Sequence, residues 1–388
     1  MSEPRLDLQG MDRGDQDPRG AGASVAMDYT PAAGHAPGTG RYARELVRAL
    51  IREPAPSLRR LRLVEVGRAP RPMAGPPLGL SGPAVRLAPE LRRVRLPRRA
   101  VALAARVHGG LGRWIGGGCD LFHRAIPAWP PATAPSQTLA VSGFPGPGGP
   151  ELRAFTSAVQ GADGLIVFSA EAAARLQRDF GTAPSRVFQV PVGTDHWQRD
   201  LPPALGKRPS RDILVLGSIR RSRRPLAVLR AFEALRQRGS SSRLLMVGRP
   251  GDAAQEFRAA LKASPAAAHV RWIAEPDEAL MPRCVAGSMI LLHLTDDEAT
   301  PVTPLEACRH GLGVVASPTP AFEEALSASA RFVDSDDPAS VAVALEQVLQ
   351  QAMEPGIREG WMRNAAPYTW QACARAHLAA WETILRGV

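Results

Sequence analysis

Short apolar runs recur along this chain with helix-patterned segments between them, and that alternation narrows the possible folds more than any other feature. In the first half the runs are Val25 to Asp28, Leu61 to Val66, Asp120 to His123, Thr138 to Val141, Gly164 to Phe168 and Val187 to Val190. A second series comprises Ile213 to Gly217, Leu244 to Gly248, Val270 to Ile273, Met289 to Leu294, Gly313 to Ala316 and Arg331 to Val333. Helical segments sit between many of them, such as Ala170 to Phe180 behind Ser169 as N-cap, and Pro225 to Arg238. Strands separated by helices pair in parallel, so the pattern predicts an α/β fold with helix-flanked parallel sheets.

Two series predict two doubly wound domains. A chain of 388 residues can fill both, since single cores stop growing at about 250–300 residues. The break is expected within Leu201 to Ser210, where Pro202, Pro203, Gly206, Lys207, Arg208 and Pro209 form a polar, breaker-rich linker. This divides the chain into domains at 23–200 and 201–365, behind a polar tail at 1–22 that is expected to be disordered. Regions 68–90 and 124–150, rich in Pro and Gly, read as long loops. In doubly wound folds ligands bind outside the carboxyl ends of the strands, which makes the interdomain cleft the expected site.

The formal charge of +11 is carried almost wholly by arginine, with Lys207 and Lys262 the only lysines. Such a balance favours anionic partners. Nucleic acid is disfavoured, because no recognised motif is present and aromatics, at 5%, leave few stacking platforms. Within residues 86–113, Arg86, Arg92, Arg93, Arg95, Arg98, Arg99, Arg106 and Arg113 interleave with apolar residues, and Glu90 is the only acid. That stretch resembles a membrane-surface anchor for anionic lipid, and equally fits a solvated arginine-rich face. No apolar run reaches bilayer length, and Cys119, Cys284, Cys308 and Cys373 show neither paired nor metal-binding spacing. The expectation is a reduced, cytoplasmic protein, with peripheral attachment to the inner face of the cell membrane if the basic stretch is an anchor.

Glu298 and Glu306 are separated by the seven residues Ala299 to Leu305, which include Thr303-Pro304-Leu305. The spacing predicts a helix with Thr303 as N-cap, Pro304 first and Glu306 closing a capping box, with Glu298 in the loop before it. Two carboxylates and the backbone donors between them suit a ligand carrying both phosphate and hydroxyl groups.

Several ordered segments resemble the retaining glycosyltransferases of family 4, which have two Rossmann-like domains facing across a cleft, the GT-B architecture. They are Gly38-Thr39-Gly40-Arg41-Tyr42; Val167-Phe168-Ser169; Val190 to Asp195; Gly217 through Arg224; Leu245 to Gly248; Glu298-Ala299-Thr300-Pro301; Leu305-Glu306-Ala307; and Gly313 to Ser317. Trp370 matches a last helix, within 366–388, that packs back on the first domain. The resemblance spans roughly residues 25 to 388 and implies a hexosyltransferase using a nucleotide diphosphate sugar, with no cofactor and no metal. On it, Glu306 would accept hydrogen bonds from the ribose and Glu298 from hydroxyls of the transferred sugar. Arg223 would stand in the lysine position beside the diphosphate, Arg220 or Arg221 would assist, and Gly38, Gly40, Thr300 and Ser218 would contact the donor. The acceptor would be a saccharide or a lipid-linked molecule, with His123 a candidate for lining its pocket.

Other motif readings are weaker. Gly38-x-Gly40-x-x-Ala43 has a dinucleotide-fingerprint form, but Thr30 to Pro37 separate it from its strand. Asp334-Ser335-Asp336 resembles a metal-binding D-x-D; Asp337-Pro338 instead reads as a helix start. Departures from the family pattern are Ser218 where it has an arginine, and Val141 and Ser142 where many members have a His-Asp pair. They keep open a non-catalytic binding or scaffold protein of the same fold.

Overall fold

The computed structural model describes residues 22–33, 38–53, 55–67, 85–95, 115–127, 134–199, 210–276 and 280–387. The expected tail up to residue 21, residues 68–84 and 128–133 of the Pro/Gly-rich regions, most of the linker and the basic segment beyond Arg95 lie outside the described residues. The region 124–150 is not one long loop, since it holds the strand Ser136–Val141 and the start of helix Gly149–Gln160.

The first sheet contains β1 (Ala23–Asp28), β2 (Leu58–Val66), β3 (Glu90–Val94), β4 (Leu121–Arg124), β5 (Ser136–Val141), β6 (Gly164–Val167) and β7 (Val187–Gln189). Its order is β3-β2-β1-β4-β5-β6-β7, with every pairing parallel. The second contains β8 (Ile213–Leu216), β9 (Leu244–Val247), β10 (Val270–Ile273), β11 (Ile290–His293), β12 (Gly313–Ala316) and β13 (Ala330–Phe332), in the order β10-β9-β8-β11-β12-β13, again all parallel. Two doubly wound sheets bear out the α/β expectation. Both reverse direction beside their first strand, and such a switch point opens a crevice at the carboxyl ends.

Alternation explains the buried strands. In β1, Val25 and Met27 enter one apolar cluster and Ala26 enters another on the opposite face. β3 was not expected as a strand. Its charged residues pair instead with β2, through Arg62–Glu90 at 2.9 Å and Arg93–Glu65 at 3.0 Å. Part of the candidate membrane stretch is therefore sheet edge, with Leu91 exposed.

Helix Trp370–Leu385 leaves the second domain and packs on the first. Trp370, Cys373, Ala374, Leu378 and Trp381 form one buried stripe against Val25, Met27, Leu46 and Leu50. Its docking is reinforced by Gln371 and Arg375, which both donate to Glu53. Another apolar cluster spans both domains, joining Ile166, Phe168, Val192 and Trp197 to Ile213, Leu216 and Leu305. Ser169 caps helix Ala170–Phe180 by accepting from the Ala172 N–H at 3.1 Å, as its sequence predicts.

Candidate functional site

A cavity of about 650 Å³ lies where the carboxyl ends of the two sheets meet. From the first domain it is lined by Gly38 and Arg41 beyond β1, Ser142 beyond β5 and Trp197 beyond β7; from the second by Ser218 beyond β8, Arg249 beyond β9 and Glu298 beyond β11. Of the residues singled out by sequence, Gly38, Ser218, Arg220, Arg223, Glu298, Thr300 and Glu306 share this lining. Gly40 does not: it is buried in the first turn of helix Thr39–Leu50. Gly38 has φ 65° at the position preceding that helix, a conformation costly for any residue with a Cβ.

Glu298 is held on three sides. Both of its oxygens accept from Arg223, at 2.5 and 3.0 Å, and His293 at the end of β11 lies 2.7 Å from Oε2. Burial by itself raises the Glu298 pKa; His293 and the Arg223 charge overcome it and hold the carboxyl below its ordinary value. Burial pushes the His293 pKa down against the opposing pull of Glu298, and Arg223 forms the ion pair with Glu298. The loop that follows is fastened to the other domain. Ser169 Oγ donates to the Ala299 carbonyl and Thr300 Oγ1 to the Ser142 carbonyl, both at 2.8 Å.

Glu306 does not close a capping box. Its helix is Val302–Arg309, with Pro301 at the N-cap and no side-chain cap. Pro301, at φ −83°, starts the helix early, and Pro304 is tolerated within the first turn because that N–H has no intrahelical acceptor. Glu306 therefore lies a turn further in, with no exposed surface, and turns across the cleft. Arg41 Nη1 donates to Oε1 at 3.0 Å and to Oε2 at 3.3 Å, and the same guanidinium stacks 4.7 Å above the Trp197 ring. His196 Nε2 approaches Oε1 at 3.3 Å. The tautomer of His196 follows from its other side: Trp370 Nε1–H, a donor only, points at Nδ1 at 3.1 Å, so the neutral ring carries its proton on Nε2, toward Glu306. Burial raises the Glu306 pKa and Arg41 opposes that rise.

His123 does not line the cavity. It is fully buried in a chain of hydrogen bonds whose order can be deduced. His377 Nδ1 can only donate to the Cys373 carbonyl, at 2.7 Å, so its Nε2 accepts from Tyr42 Oη at 2.8 Å. Tyr42 in turn accepts from His123 Nε2, at 2.8 Å, whose Nδ1 accepts from Thr138 at 2.9 Å. Burial keeps both imidazoles neutral, His377 falling to about 4. This network ties the cavity-lining Tyr42 to the last helix.

Asp337 caps helix Pro338–Gln351 by accepting from the Ala339 and Ser340 N–H groups, while Asp336 pairs with Arg224 at 2.5 Å. That triplet is helix-start chemistry. Val141 is buried among Phe155, Leu165 and Val167, and Ser142 reaches the cavity without a titratable group.

Sequence reasoning gave no role to Arg41, His196, Trp197, His293 or Arg249, and to Trp370 only that of packing the last helix on the first domain. Arg41 and the pair His196-Trp197 lie in or directly after quoted motifs, but their partners are more than a hundred residues away.

Residues 198–366 match the family model described as glycosyl transferases group 1, which bears out the resemblance drawn from the motifs. A glycogen synthase from Bordetella bronchiseptica is 31% identical over 126 residues, covering 29% of this chain and 25% of that protein. The match thus spans about a quarter of that relative's length. Among solved structures, a sucrose-phosphate synthase from Thermosynechococcus elongatus superposes with a TM-score of 0.69 at 14% identity, covering 94% of this chain and all of that one. WaaG, a glycosyltransferase involved in lipopolysaccharide biosynthesis, gives 0.65 at 15% identity, covering 92% and 98%. The fold is that of GT-B glycosyltransferases.

Proposed function

We propose that this chain is a retaining glycosyltransferase that moves a hexose from a nucleotide diphosphate sugar to a saccharide or lipid-linked acceptor, without metal ion or organic cofactor. One observation carries the reading: the Gly38 turn, the pair Arg220 and Arg223, and the pair Glu298 and Glu306, three segments far apart in sequence, line one cavity at the carboxyl ends of two doubly wound sheets. A carboxylate has four lone-pair sites, so Glu306 retains acceptor capacity for ribose hydroxyls while Arg41 holds it. Glu298, kept ionised by Arg223, is oriented to accept from hydroxyls of the transferred sugar. The arginines neutralise the departing diphosphate as the sugar passes through an oxocarbenium-like state on one face. Fastening of the 298–301 loop to the first domain supports a reaction from which water is excluded. We further assign residues 86–113 to an anionic membrane surface, which salt-sensitive sedimentation with anionic but not neutral vesicles would test.

The first experiment is thermal stabilisation of wild type and Glu306→Ala by a panel of nucleoside diphosphates and their sugars. A selective rise that the variant loses is expected, followed by release of that nucleotide on turnover. No stabilisation by any member at millimolar concentration would refute the donor site. Val141 and Ser142, which bring no titratable group to the cavity, favour one second reading, a non-catalytic binding protein; donor binding without turnover would establish it.

A further inference from the structure

Five arginines line the cavity, and their commitments differ. Arg41 is paired with Glu306 and Arg223 with Glu298, so the two carboxylates of the lining meet those two charges. Arg44 is buried and held within the protein. Arg220 and Arg249 are exposed, and among the described residues neither guanidinium has an acidic or hydrogen-bonding partner. The cavity thus carries two uncommitted positive charges.

They stand on neighbouring strands. Arg249 follows Gly248 at the carboxyl end of β9, and Arg220 lies just beyond Ser218 at the end of β8. The two loops are locked together. The Ile219 N–H donates to the Arg249 carbonyl at 3.0 Å, and Ile219 also pairs with Pro250. A Cβ on Gly248 would lie 1.9 Å from the Gly217 oxygen, and one on Gly251 2.8 Å from Arg220 Cγ, so the loops approach as closely as glycine allows. Backbones fixed in this way bring both arginines to one cavity, so that only their side chains remain to be ordered on binding. A ligand with two adjacent anionic groups matches them, and Ser218 at the end of β8 contributes only a hydroxyl.

We propose that Arg249 is a phosphate-binding residue of the donor site, supplying from the β9 loop the charge that Ser218 does not supply from β8, and acting with Arg220 on the diphosphate. The proposal deepens the donor reading above and rests on it.

Calorimetric titration with inorganic pyrophosphate, with the nucleoside diphosphate that stabilises wild type, and with the corresponding nucleoside would test it. Arg249→Gln is expected to weaken both phosphate ligands about tenfold or more and to leave the nucleoside unchanged, with Arg249→Lys recovering part of the loss. Arg220→Gln should behave likewise. Both side chains are exposed, so an unchanged melting temperature without ligand checks that each variant is folded. Wild-type affinity for either phosphate ligand in Arg249→Gln would overturn the proposal, as would a wild type that binds neither. Failure of the donor reading looks different: with Glu306→Gln, unaltered nucleoside diphosphate binding alongside Arg249-dependent pyrophosphate binding would leave an anion site and remove the donor from it.

Discussion

Glu306 is a carboxylate with no exposed surface; burial raises its pKa, and Arg41, facing it from the other domain, opposes that rise. Removing a partner from a buried ion pair costs about 3–5 kcal/mol, because the charge left behind has no water to replace it. Arg41→Gln is therefore expected to lower unfolding stability at pH 8 by a few kcal/mol. Burial already raises the Glu306 pKa, so without Arg41 the group protonates sooner as pH falls, and the deficit should be smaller at pH 5. Urea unfolding at the two pH values tests this; an equal deficit at both would mean that packing, not charge, had been lost. His377 and His310 give a separate pH signature. Burial lowers each from 6.5 to about 4 in the folded chain. Between those values the unfolded chain binds more protons, so stability rises with pH across the window and is lost as pH falls from about 6.5 toward 4, with a slope of up to about 1.4 kcal/mol per pH unit for each histidine. His377→Gln should flatten the slope in a stability profile over pH 4–7, and an unaltered slope would refute this account of the buried network.

At the scale of elements, the segment Pro191 to Asp195 holds the start of the last helix. Thr194 Oγ1 donates to the Tyr368 carbonyl at 2.8 Å, Asp195 accepts from the Trp370 N–H at 2.8 Å, and a Cβ on Gly193 would lie 2.2 Å from the Trp370 ring. Gly193→Ala must displace that ring, and overpacking of this kind costs about 1–3 kcal/mol. Because Trp370 also fixes the His196 tautomer, nucleotide affinity is expected to fall together with melting temperature; a melting loss with intact affinity would uncouple the two. These contacts also show how far the sequence was legible. Strands such as Ile290–His293 could be read because burial on both faces leaves an unbroken apolar run. β3 could not be read, since Glu90 and Arg93 meet their partners on β2, and edge pairing leaves no local apolar signature. Glu298 and Glu306 were noticed through their spacing and given roles, with Arg223, by the resemblance to a known family, although the helix start was misplaced. Arg41, His196 and His293 acquire roles only through partners brought by folding, and no local spacing encodes those.

The molecule as a whole is not two independent units. The first domain's core is completed by helix Trp370–Leu385, whose Trp381 and Cys373 are buried among Val25, Leu46 and Leu61. That element follows the second domain in the chain, so during synthesis the face of helix Thr39–Leu50, β5 and β6 that it covers stays uncovered until the second domain has been produced. Truncating a buried tryptophan to alanine costs about 3–5 kcal/mol, a large share of the stability of any single domain, and the hydrogen bonds from Tyr42 to His377 and from Arg375 to Glu53 add to the docking. A fragment of residues 22–199 should therefore lack a cooperative unfolding transition. Adding a peptide of residues 369–387 in trans should restore one, with a midpoint that rises with peptide concentration because only the folded fragment binds it. The same peptide with Trp381→Ala should be much weaker. A fragment that unfolds cooperatively by itself, with a midpoint indifferent to the peptide, would mean that the last helix decorates the first domain and does not complete it.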